Sequence, residues 1–400
     1  MLNGLAVVVV FAAVLLALPL LVAVAVLALQ IASDALGPRR GAADRGVALA
    51  SRRPLAVLVP AHNEEAGIAA ALATVLPQLM DGDRLVVVAD NCSDATAAAA
   101  RAAGAEVVER TSDLRGKGYA LAFGVDHLRA NPPSAVVIVD ADCELAPGAL
   151  EALMRCLAAT HRPVQGLYLM LAPADAGLGR RLNEFAWRVR NWARPAGWHR
   201  LGLPCQLMGT GMAFSWEMLQ DARLANASIV EDMKLGIDLA LRGSAPVFCD
   251  DALVTSRFPD STAASGTQRT RWEHGHIEMI LREGLPMLRT ALARRDVPLL
   301  GMALDLAVPP LALLAGLLGL DWLLSLAGRL LGGSGLPLAL TSILLGLFFV
   351  SILLAWAARG RHLVRLSELL VVPWYILAKV PIYLRFIVRR QKDWVRTDRK

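Results

Sequence analysis

The chain reads as an α/β protein: a doubly wound, mostly parallel sheet, flanked by one N-terminal transmembrane helix and by a C-terminal transmembrane hairpin with an interfacial helix behind it. Three observations carry this reading. Residues 6 to 30, AVVVVFAAVLLALPLLVAVAVLALQ, hold no charge. Between residues 55 and 142, short β-rich apolar runs alternate with stretches of helical spacing, the pattern of a parallel sheet with crossover helices. Residues 336 to 357 are again uncharged.

Composition agrees with so uneven a chain. At 56% hydrophobic and 19% charged over 400 residues, it is too apolar for an ordinary soluble enzyme and too charged to lie wholly in lipid. The first apolar run is long enough to cross the roughly 30 Å of bilayer hydrocarbon. It has no basic leader and exceeds a signal-peptide core, so residues 1 to 32 are expected to be an uncleaved anchor. Arg39, Arg40, Arg45, Arg52 and Arg53 follow it, and the positive-inside rule puts what comes next in the cytoplasm. Five cysteines, odd in number and without CxxC or zinc spacing, fit a reducing compartment. The net charge of +6 comes without a basic stripe interleaved with aromatics, which argues against nucleic acid and for anionic membrane lipids.

The strands and helices follow in order. LAVLVPAHN is a β-rich run expected to stop at Pro60, and EEAGIAAALATVLPQL continues with helical spacing. RLVVVAD is a second strand; after it Ser93 or Asp94 can cap an alanine-rich helix that ends at Gly104. EVVER is a third strand, KGYALAFGVDHLRA a third helix, and AVVIVDAD a fourth strand, apolar on both faces and therefore central. At the far end, residues 297 to 358 are expected to form the hairpin, closed by the glycine-rich turn GRLLGGSG. Residues 363 to 390 are broken by Glu368, Lys379, Arg385 and two prolines. A third crossing there would carry the basic residues of the 391 to 400 tail outside, against the charge rule, so an amphipathic interfacial helix anchored by Trp374, Tyr375 and Tyr383 is preferred.

Ligands of such sheets bind beyond the carboxyl ends of the strands, and the polar residues gather there. His62, Asn63 and Glu64 follow the first strand, Asp90, Asn91 and Asp94 the second, Asp140 and Asp142 the fourth. A buried strand that ends in two carboxylates needs cations to neutralise them. Residues i and i+2 of a strand face the same way, so both acids can address one divalent ion on a diphosphate; a solvated turn is the plain alternative. Neither GxxxxGK[ST] nor GxGxxG follows the first strand, which removes the two common glycine-cradle nucleotide sites. Lys117, in RGKG before a helix, offers the diphosphate a nearby cation, or is an ordinary basic turn.

Taken in order, PAHNEE (60–65), VVVADNCSDAT (86–96), RGKGYAL (115–121), VDAD (139–142), GTGMAF (209–214), VED (230–232) and QRTRW (268–272) resemble a membrane-bound family 2 glycosyltransferase of GT-A fold, in the cellulose, chitin and hyaluronan synthase-like branch. The resemblance covers residues 54 to 280. It implies a UDP-sugar donor whose uracil meets Asp90, in a pocket lined by the backbone around Ala61, His62 and Glu64. It implies that Asp140 lies near the nucleoside, that Asp142 ligates Mg²⁺ or Mn²⁺ on the diphosphate, and that Asp232 is the general base. Gln268, Arg269, Arg271 and Trp272 would hold the diphosphate and the acceptor sugar. The chemistry is consistent: an inverting transfer needs one carboxylate to take the acceptor proton, and guanidinium forks suit a departing phosphate.

Three features depart from the family pattern. Asn91 stands where a second aspartate is usual. EHGH behind QRTRW has no metal spacing, and His274 and His276 are read as polar residues on the acceptor side, as Gln165, Trp198 and His199 are read as candidates for its groove. Three expected crossings are fewer than polymer-extruding synthases use. The preferred function is therefore transfer of a single sugar to a lipid-linked or membrane glycan acceptor, in exopolysaccharide or glycolipid assembly. A processive synthase is the alternative, and an inactive scaffold of a polysaccharide secretion complex is the alternative of another class. Retention of Asp140, Asp142 and Asp232 favours an enzyme.

Overall fold

The computed structural model describes residues 2–37, 53–225, 230–258 and 262–388. The basic residues Arg39, Arg40, Arg45 and Arg52 and the tail 391 to 400 lie outside them. The chain divides into two compact units. One holds the sheet (Pro38–Ala174, Gly202–Trp272 and Lys392–Lys400); the other holds the long apolar helices (Met1–Gly37, Asp175–Leu201 and Glu273–Gln391). The segment Asp175–Leu201, inside the span expected to be one catalytic domain, thus belongs with the apolar helices.

The sheet unit is built on β1 (Leu55–Ala61), β2 (Arg84–Asp90), β3 (Glu106–Arg110), β4 (Ala135–Ile138), β5 (Glu144–Leu145), β6 (Val164–Leu171), β7 (Met212–Ser215) and β8 (Val247–Arg257), in the order β3-β2-β1-β4-β7-β6-β8-β5. The first four strands are parallel, as the alternation of apolar runs and helices requires. Their run-ons are α2 (Ile68–Val75), α3 (Thr96–Ala102) and α4 (Lys117–Leu128). The second half is mixed: β7 runs antiparallel to both β4 and β6, and β5 antiparallel to β8. The expectation of a mostly parallel sheet therefore holds for the N-terminal half. β1 runs one residue past Pro60, which pairs with Val88 in register.

The core under α4 joins Ala56, Leu58, Val86, Val88, Leu121, Val125 and Leu128 with Met212 and Phe214 of β7. Burying each large aliphatic side chain is worth about 1.5–3 kcal/mol. Gly124 lets α4 approach: a Cβ there would stand 2.5 Å from Leu58 Cδ1 and 2.9 Å from Val88 Cγ2. The rest of this unit comprises α5 (Ala149–Thr160), α8 (Trp216–Leu219), α9 (Glu231–Leu241) and the first part of α10 (Thr262–Met279).

In the helical unit, α1 (Leu2–Leu36) buries Ala13, Ala17, Leu20, Val24, Leu27 and Ile31 and turns Leu5, Phe11, Leu15 and Leu18 outward. A helix apolar all round is buried in a protein core or spans a membrane. α1, α13 (Leu311–Leu330) and α14 (Leu336–Ala355) are each long and apolar enough to cross a membrane, and by length and composition so is Leu366–Phe386. The first hairpin arm begins at Leu311; the chain before it forms a separate short helix, α12 (Val297–Leu306), because Pro309-Pro310 cannot continue a helix. Residues 366 to 388 are a 3₁₀ turn (Leu366–Val371), α15 (Val372–Leu377) and α16 (Val380–Val388), and Pro373 and Pro381 stand in the first turns of the last two.

Polar residues tie this unit together. Between α6 (Leu178–Arg188) and α7 (Arg194–Arg200) lies one π-helical turn. Arg194 is buried; it donates to Gln30 at 2.9 Å and to the Asp305 carboxylate at 2.9 Å. Asp34, 5% exposed, accepts a fork from Arg359 at 2.9 and 2.6 Å. Buried charges persist when paired in this way. Trp198, expected near an acceptor groove, is buried here and donates to Gly301 O at 3.0 Å.

Candidate active site

The ends of β4, the 208–211 loop before β7, and the starts of α4 and α9 bring Lys117, Asp140, Glu231 and Asp232 together. Lys117, the first residue of α4, ion-pairs with Asp140 and donates to Gly209 O at 2.7 Å. Asp140 N donates to Thr210 Oγ1 at 3.0 Å. Gly209, at φ +92°, lies against the acid at the start of α9: a Cβ on it would stand 3.3 Å from Asp232 Oδ2 and 3.5 Å from Lys117 Nζ. Only glycine adopts that φ without strain and leaves those two side chains their room.

Electrostatics follow from the crowding. Burial works against the Lys117 ammonium, but Asp140, Glu231 and Asp232 outweigh it and hold its pKa above the ordinary lysine value. Burial, and next the neighbouring Asp232, push the Glu231 carboxyl up to about 7. Glu231 and Asp232 line a small pocket with Gly118, Leu121, Met212, Leu224 and Leu235. Both acids stand in the first turn of α9, where the helix dipole favours negative charge.

Asp140, Asp142 and Cys143 each place one ligand atom within 4.8 Å of the others. Burial and the two aspartates raise the Cys143 thiol well above its usual range, so it stays protonated. That leaves two half-buried carboxylates, a hard oxygen set of the kind Mg²⁺ and Mn²⁺ take.

A second group forms at the ends of β1 and β2. Asp90 is 7% exposed, and Arg110 holds its carboxylate at 2.5 Å while bonding Leu114 O at 2.9 Å and lying over the Tyr119 ring. His62 Nδ1 donates to Asp90 O at 2.6 Å. Glu64 N donates to Thr96 Oγ1 at 2.8 Å, and Cys92 lies 3.6 Å from Ala61 O. Asn63 and Asn91 both take positive φ, which asparagine tolerates better than most residues. Asp94, not Ser93, bonds the first helical N–H of α3, at Thr96.

Asn91 explains its own departure from the family pattern. Its amide donates to Asp90 Oδ1 at 3.1 Å, and its oxygen accepts from Ser112 N at 2.9 Å. An ionised aspartate has no N–H to give and would set a second charge beside Asp90.

On α10, Gln268 is 4% exposed and Arg269, Arg271 and Trp272 are half-buried. His274 and His276, expected on the acceptor side, turn inward at 2% and 4% exposure. His274 bonds Ile382 O at 2.9 Å, and the adjacent Glu273 pairs with Lys379 at 3.0 Å. His274 and Glu273 thus face the segment around α16. Two members of these groups have no counterpart in the sequence reading: Glu231, whose carboxyl is buried beside Asp232 and Lys117, and Arg110, the cation held by Asp90. The acid pair VED was a visible signal for the first; nothing local marks the second.

The mixed α/β sheet, with acids and a lysine gathered at its strand ends, is the fold of a glycosyltransferase of family 2. Residues 52–275 match the family model described as glycosyltransferase like family 2, and the chain belongs to that family. It is similar to the 4,4'-diaponeurosporenoate glycosyltransferase of Staphylococcus aureus (strain MRSA252), 35% identical over 109 residues; the match spans 26% of this chain and 28% of that protein. Among solved structures it is similar to the mannosyltransferase PcManGT from Pyrobaculum calidifontis, in complex with GDP-Man and Mn²⁺. There the TM-score is 0.52 and the identity 19%, over 89% of this chain and 98% of that one. Glucosyl-3-phosphoglycerate synthase from Mycobacterium tuberculosis gives a TM-score of 0.37 at 24% identity, over 60% and 84%.

Proposed function

We propose that this chain is an inverting glycosyltransferase that moves a sugar from a UDP-sugar to a lipid-linked or membrane-resident acceptor, in exopolysaccharide or glycolipid assembly. It works at the inner membrane with its sheet unit in the cytoplasm. The observation that carries the reading is the convergence of Asp140 and the adjacent pair Glu231 and Asp232 on Lys117. Apolar helices long enough to span lipid support a membrane acceptor.

In this reading Asp142, with Asp140 beside it, holds Mg²⁺ or Mn²⁺, which when bound supplies positive charge to the departing diphosphate. Asp232 takes the proton from the acceptor hydroxyl as that oxygen attacks the anomeric carbon from the face opposite UDP. Lys117, fixed between Asp140 and Gly209 O, adds a second cation on the leaving-group side. Asp90 and the backbone at Ala61, His62 and Glu64 seat the nucleoside. Gln268, Arg269 and Arg271 hold the diphosphate, and Trp272 offers a flat face to a pyranose.

The test is UDP release from a panel of UDP-sugars, with Mg²⁺ or Mn²⁺ and a membrane extract as the source of acceptor. Asp232→Asn is expected to lower turnover by about 10²–10⁴-fold, the contribution of a general base, with little change in donor KM. Turnover equal to the parent removes the base assignment.

A further inference from the structure

A fully buried glutamine shapes this site without touching it. Gln165, the second residue of β6, is 0% exposed. β6 and β7 pair only at Val164↔Ala213 and Gln165↔Met212. One further rung, Gly166 N to Gly211 O at 2.8 Å, follows before the 208–211 loop departs. There the Gln165 side chain takes over. Its Oε1 accepts from Met208 N at 2.7 Å, and its Nε2 donates to Thr210 O at 2.9 Å and to Gly166 O at 2.8 Å.

The carboxamide therefore serves as a substitute peptide group. It offers one acceptor and a two-proton donor, and all of these are used. The loop it holds is the common backing of the reactive cluster. Gly209 O receives Lys117, Thr210 Oγ1 receives Asp140 N, and a Cβ on Gly209 would stand 3.3 Å from Asp232 Oδ2. Gly166 keeps the spacing, since a Cβ there would stand 2.7 Å from Ala252 O and 3.2 Å from Gly211 O.

We infer that Gln165 is a positioning residue for the transfer reaction: through its paired hydrogen bonds to Met208 and Thr210 it fixes the loop that sets Lys117, Asp140 and Asp232 in mutual register. The inference rests on the catalytic reading given above, and it replaces the expectation that Gln165 lines an acceptor groove.

Two variants of nearly the same shape test it. Gln165→Met removes every hydrogen bond. It is expected to lower kcat at least tenfold at all pH values, to leave acceptor KM within threefold, and to speed amide exchange at Met208 at least tenfold, while peptides from β1 and β2 exchange as in the parent. Gln165→Glu gives up the bond to Gly166 O and keeps those to Met208 and Thr210 only while protonated, because the acid form alone can both accept from Met208 N–H and donate to Thr210 O. Its turnover relative to the parent is expected to fall about tenfold between pH 6 and pH 9.

Parent-like Met208 exchange in Gln165→Met, or a Gln165→Glu activity ratio flat with pH, overturns the inference. Should Gln165→Met not fold, the pH ratio of Gln165→Glu decides. Should the parent transfer no sugar from any donor, the catalytic reading fails, and the exchange measurements still decide whether Gln165 holds the loop.

Discussion

Glu231 and Asp232 are adjacent in sequence, and the burial of one beside the other is what sets Glu231 apart. A carboxyl pushed up to about 7 from its usual 4.5 binds its proton more tightly in the folded chain than in the unfolded one. Between these two pH values the folded state keeps a proton that the unfolded state has released, so this group's contribution to stability is full below pH 4.5 and is lost as pH rises toward 7. Glu231→Gln is expected to flatten the fall in melting temperature between pH 5 and 7.5, measured by circular dichroism on detergent-solubilised protein. An unchanged slope would show that the carboxyl ionises freely.

At the scale of elements, α4 both packs the core and carries Lys117 as its first residue, so a disturbance on its buried face reaches the site along a rigid helix. Gly124→Val places methyl groups where Leu58 and Val88 already stand. The expected cost is about 1–3 kcal/mol in denaturant unfolding, with a drop in turnover larger than in donor binding as Lys117 shifts from Gly209 O. The elements that lay open in the sequence are those with local punctuation: β2 and β3 match their letters because Gly82 and Gly104 mark where the chain turns back toward each strand, and α9 ends where Gly243 takes φ +86°. What stayed hidden depends on pairings distant in sequence. The antiparallel entry of β7 between β4 and β6 has no local signal. Neither has the bond of Arg110 to Asp90, nor the allegiance of α6 and α7 to the apolar helices, although three tryptophans stand among six arginines from residue 180 to residue 200. The cluster itself was half legible: the acids and Lys117 stood at strand and helix ends, whereas Gln165 looked like any polar residue at the start of a strand.

For the whole molecule, the decisive question is on which side of the membrane the chain leaves its last apolar segment. Leu366–Phe386 qualifies as a span by composition, yet it folds as three short pieces that leave Leu370, Trp374, Leu377 and Leu384 exposed. A spanning helix must satisfy its own backbone without interruption, and one broken at Lys379 does so poorly. Lys379 is held by Glu273 at 3.0 Å, and Arg181 takes Glu368 by both its Nη1, at 3.0 Å, and its Nη2, at 2.6 Å; ionic ties at two points suit a segment lying at the headgroup level more than one in hydrocarbon. With crossings at α1, α13 and α14 alone, a green fluorescent protein fused after Lys400 is expected to fluoresce and an alkaline phosphatase fused at the same place to be inactive; the reverse pair of results would make this segment a fourth crossing.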